Sequence, residues 1–479
     1  MFSDLVVLSK AQERVFSDLS EFVPLFHSPD GERYGVIEVN GHRETWSLDS
    51  TIFRNLLDFK FYQLYGNLMP MGEMNQIIRL LKAKAQFEAP EIPVFVRVAF
   101  YNGSIYIDLC NEKWEVIEIT PNGWRVVQDS PVRFTRARGM LALPHPQKGG
   151  KLEDLRNLIN AQDVNVWYSC LSWTIGSLNP KGPFPILNVE GGSGRAKTSA
   201  VRMIRHLVDP SIAPLRSAPN SVRDLMIASK DSWILAFDNL SKVPDWFSDA
   251  LCRLATGGGF STRKLFTDGE QFIINTTRPI VINGIEFLPA REDFIDRSLV
   301  ITLPQIPNDK RMAMEDLWTD FEVARPRILG AFLDVISSCL LNLNKVELKS
   351  YPRMADFIRW VTASESIIGL SSGTFLKNYE DNRRSATQDS LERDKVASLL
   401  RTLLASRKSW RGTAMALLEE LEKCESDPKR RGASWPKSAS ELSGRLKRAE
   451  NNLLSVGIEI IFTREGGTGR RIIEITSKA

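Results

Sequence analysis

The sequence predicts a multidomain protein with an α+β amino-terminal domain, an α/β core and a helical region that ends in a small basic domain. Its 479 residues are too many for one hydrophobic core. Between about 151 and 345, five strand-like segments alternate with helical stretches, which indicates a parallel α/β sheet. The last 51 residues hold eleven Lys or Arg against five Glu, a net charge of +6 where the whole chain has +4. A basic end on a near-neutral body favours an anionic partner.

The predicted domains follow these changes along the chain. Residues 1–148 form an α+β domain of unknown role, with a hairpin around Asn40-Gly41 and a meander from Val94 to Val127. Residues 149–345 form the α/β core, whose second strand candidate is APLRS at 213–217. Residues 346–424 form a helical region. Residues 425–479 form the basic domain, in which one helix from Ser438 and a Gly-tipped hairpin are typical of a winged helix.

Composition excludes several classes of protein. Apolar residues make up 43% and charged residues 25% of the chain, which is ordinary for a globular protein. The five cysteines are scattered singly, so neither structural zinc nor a disulfide framework is expected. This pattern predicts a protein of the reducing cytoplasm. The amino terminus lacks the pattern of a signal peptide. The longest apolar tract, from Ile328, contains Asp334 and is interpreted as a buried helix, not a membrane span.

A glycine-rich segment, FPILNVEGGSGRAKTSAVRMI, lies between a predicted strand and a predicted helix. That context is typical of a loop whose backbone N–H groups bind phosphate at a helix amino terminus. Lys197 is predicted to reach the β- and γ-phosphates of ATP, and Thr198 to bind Mg²⁺. The nucleotide-binding residues predicted here are Gly191, Gly192, Ser193, Gly194, Arg195, Ala196, Lys197, Thr198 and Ser199.

Ala196 replaces the second glycine of the usual motif, G-x-x-x-x-G-K-[ST]. We expect a negative φ at this position, because a methyl group then costs little. The alternative to a phosphate loop is a glycine-rich turn that carries an incidental lysine.

A second acidic element follows one strand later, in SWILAFDNL. Asp238 is predicted to hold Mg²⁺ together with Thr198. Asn239 stands where hydrolytic enzymes often have glutamate, and an amide can orient water but cannot accept its proton. Three explanations stay open: Asn239 only positions the water, another carboxylate (Asp245 or Glu190) acts as the base, or hydrolysis is slow. Without the glycine-rich loop beside it, Asp238 would be interpreted as a residue that caps the end of the strand.

Two further elements complete the predicted catalytic set. Asn283 ends a strand in RPIVINGI, where its amide can bridge the γ-phosphate and the attacking water. Arg297 begins the next strand and is predicted to act as an arginine finger on the nucleotide of a neighbouring subunit. Its alternative is a surface ion pair. Arg327, at the beginning of the helices that follow, is predicted to contact a phosphate of the nucleotide. Arg325 is nearly as good a candidate. For both residues, a role in helix packing is the open alternative.

These segments, taken in order, resemble AAA+ ATPases. The loop form resembles minichromosome-maintenance (MCM) helicases, and the whole series resembles the MCM-like self-loading helicases of phages and bacterial mobile elements. These include replication proteins of staphylococcal cassettes and pathogenicity islands and the helicase half of phage primase–helicases. The resemblance covers about residues 150–345, and it implies ATP, Mg²⁺ and a ring, expected to be a hexamer. Asn239 departs from the MCM pattern, which has glutamate there, and no zinc-binding primase signature is present.

Candidate DNA contacts lie in two places. The resemblance assigns the hairpin at 260–274 to the ring channel, with Arg263 and Lys264 on DNA phosphates, although Arg263 could instead reach nucleotide across the interface. In the basic domain, Arg445 and Arg448 share one helix face, opposite Leu442, Leu446, Leu453 and Leu454. The wing adds Arg464, Arg470 and Arg471. Alternatives are an ordinary exposed hairpin and a protein-binding winged helix.

The function expected from the sequence is an ATP-dependent DNA helicase or replication initiator of a mobile element or phage, acting in the cytoplasm as a homo-oligomeric ring. Single-stranded DNA would lie in the channel, duplex DNA could bind the winged helix, and no membrane is involved. Two rival hypotheses are an ATP-switched DNA-binding protein with little hydrolysis and an AAA+ regulatory or defence ATPase that acts on a protein partner.

Overall fold

The computed structural model describes residues 23–263, 271–274, 276–284, 292–425, 427, 435–465 and 469–477, with the backbone alone at 260–263 and 271–274. The elements below belong to these ranges.

The amino-terminal region combines two antiparallel sheets with a helix pair. The hairpin at Asn40-Gly41 is confirmed, because Val39 pairs with His42 and both turn residues have positive φ, at 48° and 81°. The meander is confirmed as a four-stranded sheet in the order β5-β6-β7-β8. The elements are β1 (Leu25–His27), β2 (Arg33–Val39), β3 (His42–Ser47), α1 (Thr51–Tyr65), α2 (Met71–Phe87), β4 (Val94–Phe95), β5 (Val98–Tyr101), β6 (Ser104–Asp108), β7 (Val116–Thr120), β8 (Gly123–Val127) and β9 (Arg133–Phe134).

The central region is the predicted α/β unit. Its elements are α3 (Glu153–Leu158), α4 (Val164–Ser177), β10 (Ile186–Glu190), α5 (Lys197–Val208), α6 (Val222–Asp231), β11 (Leu235–Leu240), α7 (Asp245–Thr256), β12 (Phe260–Arg263), β13 (Gln271–Ile274), β14 (Ile280–Gly284), α8 (Glu292–Ile295), β15 (Ser298–Thr302) and α9 (Met314–Asn342).

Four strands form the parallel sheet, in the order β11-β14-β10-β15. Every residue of β10 and β14 is buried, as expected for central strands covered on both faces. The predicted second strand at 213–217 is wrong: it forms only an isolated bridge, between Arg216 and Phe237. Pro214 lacks the backbone N–H that a longer ladder would need. The carboxyl ends of all four strands meet at one edge of the sheet.

The meander packs on the central unit and not as a separate body. One hydrophobic core runs from Val98 to Tyr379. The Trp124 indole donates to Asp334 of α9 at 2.8 Å, and the fully buried Arg97 pairs with Asp209 at 3.1 Å. The boundary predicted at 148/149 therefore falls inside a continuous core.

The helix α9 contains the apolar tract noted in the sequence. By length and composition alone, residues Met314–Lys345 could cross a membrane, and 56% of that apolar window is buried in the protein. Ile328, Phe332 and Ile336 are fully buried in the core shared with the meander. Packing inside the protein accounts for the apolar face of this helix.

The carboxyl-terminal unit has a three-stranded antiparallel sheet in the order β16-β18-β17. Its hydrophobic core runs from Leu391 to Ile475, so the boundary predicted at 425 also lies inside a core. The helix predicted from Ser438 is two helices that meet at Ala449, and Leu454 of the predicted apolar stripe is 48% exposed. The elements after α9 are α10 (Ala355–Thr362), α11 (Thr374–Arg393), α12 (Lys395–Arg407), β16 (Ser409–Gly412), α13 (Ala414–Cys424), α14 (Ala439–Arg448), α15 (Glu450–Ser455), β17 (Ile458–Arg464) and β18 (Arg471–Ser477).

Candidate nucleotide and DNA sites

The glycine-rich loop joins the buried strand β10 to the helix α5 at the carboxyl edge of the sheet. Gly191 and Gly194 have φ of 133° and 74°, values that favour glycine. Ala196 has φ 60° and ψ 27°, so the expectation of a negative φ there is wrong. The chain needs a left-handed residue to enter α5, and Ala196 takes that conformation at a cost of about 1–2 kcal/mol.

The lysine and the hydroxyl of the loop lie beside the predicted acidic element. Thr198 Oγ1 donates to Asp238 Oδ1 at 3.3 Å. Lys197 Nζ donates to the carbonyls of Gly191 at 2.6 Å and Gly192 at 2.9 Å. Burial lowers the pKa of Lys197, the charge of Arg195 lowers it further, and Asp238 partly offsets both. A hydroxyl and a carboxylate in contact, with an ammonium on the same loop, are the groups that a magnesium–phosphate ligand requires.

Asn239 and Asn283 meet where β11 and β14 end. Asn283 Oδ1 accepts from the backbone N–H of Asn239 at 2.8 Å. Asn283 is 1% exposed, and its buried Nδ2 has no hydrogen-bond partner among the described residues. Asn239 is exposed and has φ 55°, a left-handed conformation that asparagine tolerates better than glutamate does. The backbone thus accounts for an amide in the position after Asp238.

The remaining predicted loop residues support the loop itself or stay exposed. Arg195 Nη1 donates to the carbonyl of Leu303 at 2.7 Å, which ties the loop to the end of β15. Ser199 Oγ lies 3.7 Å from Met314 Sδ. Ser193 is exposed.

The two carboxylates considered as alternative bases differ in their surroundings. Asp245 is exposed at the start of α7. Glu190 is buried, and this burial raises the pKa of its carboxyl to about 7, while Arg393 and the Asn188 amide act in the opposite direction.

Arg297 is held by its own segment. Its Nη1 donates to the carbonyl of Asp293 at 2.6 Å, and its Nε is buried without a partner among the described residues. The neighbouring Asp296 forms an ion pair with Arg383 of α11, so the alternative in which Arg297 pairs with Asp296 is not what the structure has. A role for Arg297 at a neighbouring subunit stays a prediction.

The structure does not bring Arg325 or Arg327 to the loop. Arg325 is 6% exposed, binds Glu322 at 3.0 Å and donates to the carbonyl of His206 at 2.8 Å. His206 lies nine residues after Lys197 along α5, a distance of roughly 14 Å. Arg327, two residues further along α9, is exposed, and its own carbonyl faces Gly150. The position of Arg325 fits helix packing, the alternative left open above, and a phosphate contact by Arg327 stays a prediction.

Two residues near the loop were not predicted. Asn160 Nδ2 donates to the carbonyls of Arg195 at 3.2 Å and Pro304 at 2.9 Å. Arg311 follows β15, and a side-chain carbon placed on Gly194 would lie 3.3 Å from its Nη2. Neither belongs to a recognisable motif, because both reach the loop from distant parts of the chain.

The predicted DNA contacts are distributed between the two expected places. The strands β12 and β13 form the expected hairpin, with Arg263 opposite Gln271, and Lys264 lies outside the described residues. In the carboxyl-terminal unit, Arg445 pairs with Asp394 at 3.0 Å, whereas its expected companion on the helix, Arg448, is exposed. The arginines predicted for the wing, Arg464, Arg470 and Arg471, are exposed, and the first and last of them face each other across β17 and β18.

No curated protein matches the chain. Two solved apo structures of the NrS-1 C-terminal region are similar to this chain, each with 12% sequence identity and a TM-score of 0.41. The first match covers 97% of this chain and 98% of the solved chain. The second covers 98% of this chain and 100% of the solved chain.

Two family models match adjacent parts of the chain. The model of the actinomycete integrative conjugative element replication protein matches residues 152–385, and that of the AICE RepA C-terminal domain matches residues 396–479. Together they cover the central unit and nearly all of the carboxyl-terminal unit. The chain is therefore a replication protein of a mobile genetic element, of the kind that these two models describe.

Proposed function

We propose that this protein is an ATP-dependent DNA helicase and replication initiator of its element, built on an AAA+ core and a winged helix and working as a hexameric ring. The observation that carries the proposal is the contact between Thr198 Oγ1 and Asp238 Oδ1 at 3.3 Å, beside Lys197 in a glycine-rich loop. Residues far apart in the sequence meet there at the carboxyl edge of a parallel sheet, where ligands bind in open α/β folds.

The residues present fit ATP and Mg²⁺. Thr198 and Asp238 offer the hard oxygen ligands that Mg²⁺ prefers, and Lys197 Nζ, which now lies on two loop carbonyls, is within the same loop as the expected phosphates. When bound, Mg²⁺ neutralises charge that develops on the phosphates. Asn283 holds the backbone of Asn239 through Oδ1, and its Nδ2, which has no partner among the described residues, would donate to the γ-phosphate or its attacking water.

A ring supplies the rest of the site. Arg297 lies next to Asp296, which α11 anchors through Arg383, so the segment carrying the finger is fixed to the body of its own subunit. In a ring, such a segment can present Arg297 to the ATP of the neighbour. The hairpin of β12 and β13 would line the channel, and the exposed arginines of the carboxyl-terminal unit would bind DNA phosphates in the cytoplasm.

A second candidate function is an ATP-switched DNA-binding protein with little hydrolysis. Asn239 favours it, because this residue cannot accept a proton and its left-handed backbone disfavours a glutamate replacement. In that case ATP binding would assemble the ring on DNA without driving movement along a strand.

The test is ATP hydrolysis with and without single-stranded DNA, for the native chain, Lys197→Ala, Arg297→Ala and an equimolar mixture of the two variants. We expect DNA-stimulated turnover in the native chain and almost none in either variant alone. The mixture should regain activity, because some interfaces combine an intact Lys197 with an intact Arg297 from different subunits. If the mixture did not regain activity, the role of Arg297 as an arginine finger would be contradicted. If the native chain bound ATP without hydrolysing it, the ATP-switched DNA-binding protein would be favoured.

A further inference from the structure

Arg311 lies directly against the glycine-rich loop. It follows a short 3₁₀ turn, Asn308–Lys310, in the segment between β15 and α9. A side-chain carbon built on Gly194 would stand 3.3 Å from Arg311 Nη2 and 4.0 Å from its Cζ. The guanidinium therefore touches the face of Gly194, and a side chain at that position would push it away.

Among the described residues that contact the loop, Arg311 is a cation without a partner of its own. Lys197 already donates to two loop carbonyls, and Arg195 donates to the carbonyl of Leu303. The Arg311 side chain is exposed and has no hydrogen-bond or ion-pair partner in the described part of the chain. Five guanidinium donors thus stand beside a loop whose own backbone is arranged to receive an anion.

The segment that carries Arg311 is fixed at both ends. At one end, Leu303 N–H donates to the carbonyl of Glu190 at 3.2 Å, next to the first loop residue. At the other end, Met314 begins α9 with its sulfur 3.7 Å from Ser199 Oγ, on the first turn of α5. Only ten residues separate these two anchors, so the segment holds Arg311 close to the loop.

We propose that Arg311 binds a phosphate oxygen of the nucleotide held by the loop of its own subunit. This inference rests on the proposed function, in which the loop binds a nucleoside phosphate. A planar guanidinium can donate two parallel hydrogen bonds to phosphate, which a lysine cannot. Arg311 then takes the role that the sequence had suggested for Arg327 or Arg325, which lie toward the far end of α5.

The test is a fluorescence titration of the full chain with mant-ADP and Mg²⁺. Arg311→Ala should bind about 10- to 100-fold more weakly than the native chain, the loss expected for one charge-assisted hydrogen-bonding group. Lys310→Ala removes the same charge from the preceding, equally exposed position and should bind as the native chain does. Arg311→Lys should fall between them.

Several outcomes separate this inference from the proposed function. If the native chain and Lys310→Ala bind no mant-ADP, the proposed function fails and this inference fails with it. If both bind and Arg311→Ala binds within twofold of them, only the role of Arg311 is overturned. A loss confined to assembled rings, absent from dilute subunits, would assign Arg311 to the neighbour and contradict the proposal. Unchanged melting without nucleotide would show that the variant is folded.

Discussion

Ala196 shows how much one backbone angle can cost. Its φ of 60° is a conformation that L-residues with a Cβ avoid, and the corresponding position of the usual motif is glycine. The loop keeps this conformation because Lys197 and Thr198 must begin α5 with their side chains at the sheet edge. The sequence signalled an irregularity here, but the sign of φ could be known only from the structure.

We expect Ala196→Gly to stabilise the protein by about 0.5–1 kcal/mol, since relief of the strain exceeds the extra chain entropy of glycine. Chemical denaturation of the native chain and the variant measures this difference. Ala200→Gly is the matched control, because Ala200 lies inside the same helix, where glycine should destabilise. A loss of stability in Ala196→Gly would contradict the strain.

Glu190 makes stability depend on pH. Burial raises the pKa of its carboxyl from 4.5 to about 7, so the folded state holds this proton more tightly than the unfolded state does. Stability should therefore fall as pH rises from about 4.5 to 7 and change little above that range. Arg393 and the Asn188 amide limit the shift, and Asp389 adds to it.

Glu190→Gln should remove this dependence and be about 2–3 kcal/mol more stable than the native chain at pH 8, with little difference near pH 4.5. Free energies of unfolding measured across this range for both proteins check the expectation. Glu38→Gln, on the exposed face of β2, removes the same charge and is the matched control. If the free energy of unfolding changed with pH in the same way for the native chain and Glu190→Gln, the expected role of Glu190 would be contradicted.

At the scale of elements, α11 connects three parts of the molecule. Its Asn382 side chain pairs with both the N–H, at 2.9 Å, and the carbonyl, at 2.5 Å, of Val300 in the edge strand β15. Its Arg383 binds Asp296, and Asp394, directly after its last residue, caps α12 and binds Arg445. The helix covers an edge that would otherwise offer unpaired backbone groups to another chain.

Asn382→Ala should cost about 1–3 kcal/mol of stability, because two partly buried backbone groups of Val300 lose their partner. Thermal and chemical denaturation measure this loss. Gln388→Ala removes an exposed amide from the same helix and should change stability by less than about 0.5 kcal/mol. Equal stability of the two variants would show that α11 does not stabilise this edge.

The elements that the sequence predicted well are those with a local signal. The hairpin at Asn40-Gly41 and the buried strands β10 and β14 follow from turn chemistry and from apolar runs. The strand predicted at 213–217 was wrong, because Pro214, a local signal already present in the sequence, limits pairing there. The break at Ala449 in the helix from Ser438 carries no such signal.

At the scale of the whole molecule, the hydrophobic cores cross the predicted boundaries. One core joins the meander to the central unit, and another joins α12 and α13 to the strands β17 and β18. Changes of composition at 148 and 425 need not coincide with the limits of a core. The basic residues of the carboxyl-terminal unit therefore belong to a body that begins near Leu391.

DNA binding by the full chain should depend strongly on salt. Replacing Arg448 and Arg471, both exposed, with Gln should reduce the slope of log K against log salt by about 1 for each residue that contacts a phosphate. Fluorescence anisotropy over a series of salt concentrations measures the slope. Arg445→Gln should lower thermal stability and keep the slope, because Arg445 is paired with Asp394. An unchanged slope in the first variant would favour a protein-binding winged helix.

The sequence by itself determined the α/β core, the glycine-rich loop, Asp238 and Asn283, since each depends on short-range pattern and on strands that end in polar residues. The order of the motifs predicted that Thr198 and Asp238 share one site, and the structure brings them into contact. Only the tertiary structure decided that Arg325 is buried on His206 and that Arg311 reaches Gly194. Those two contacts join residues about 120 positions apart. Chain topology and core packing set such distances, and no local pattern encodes them.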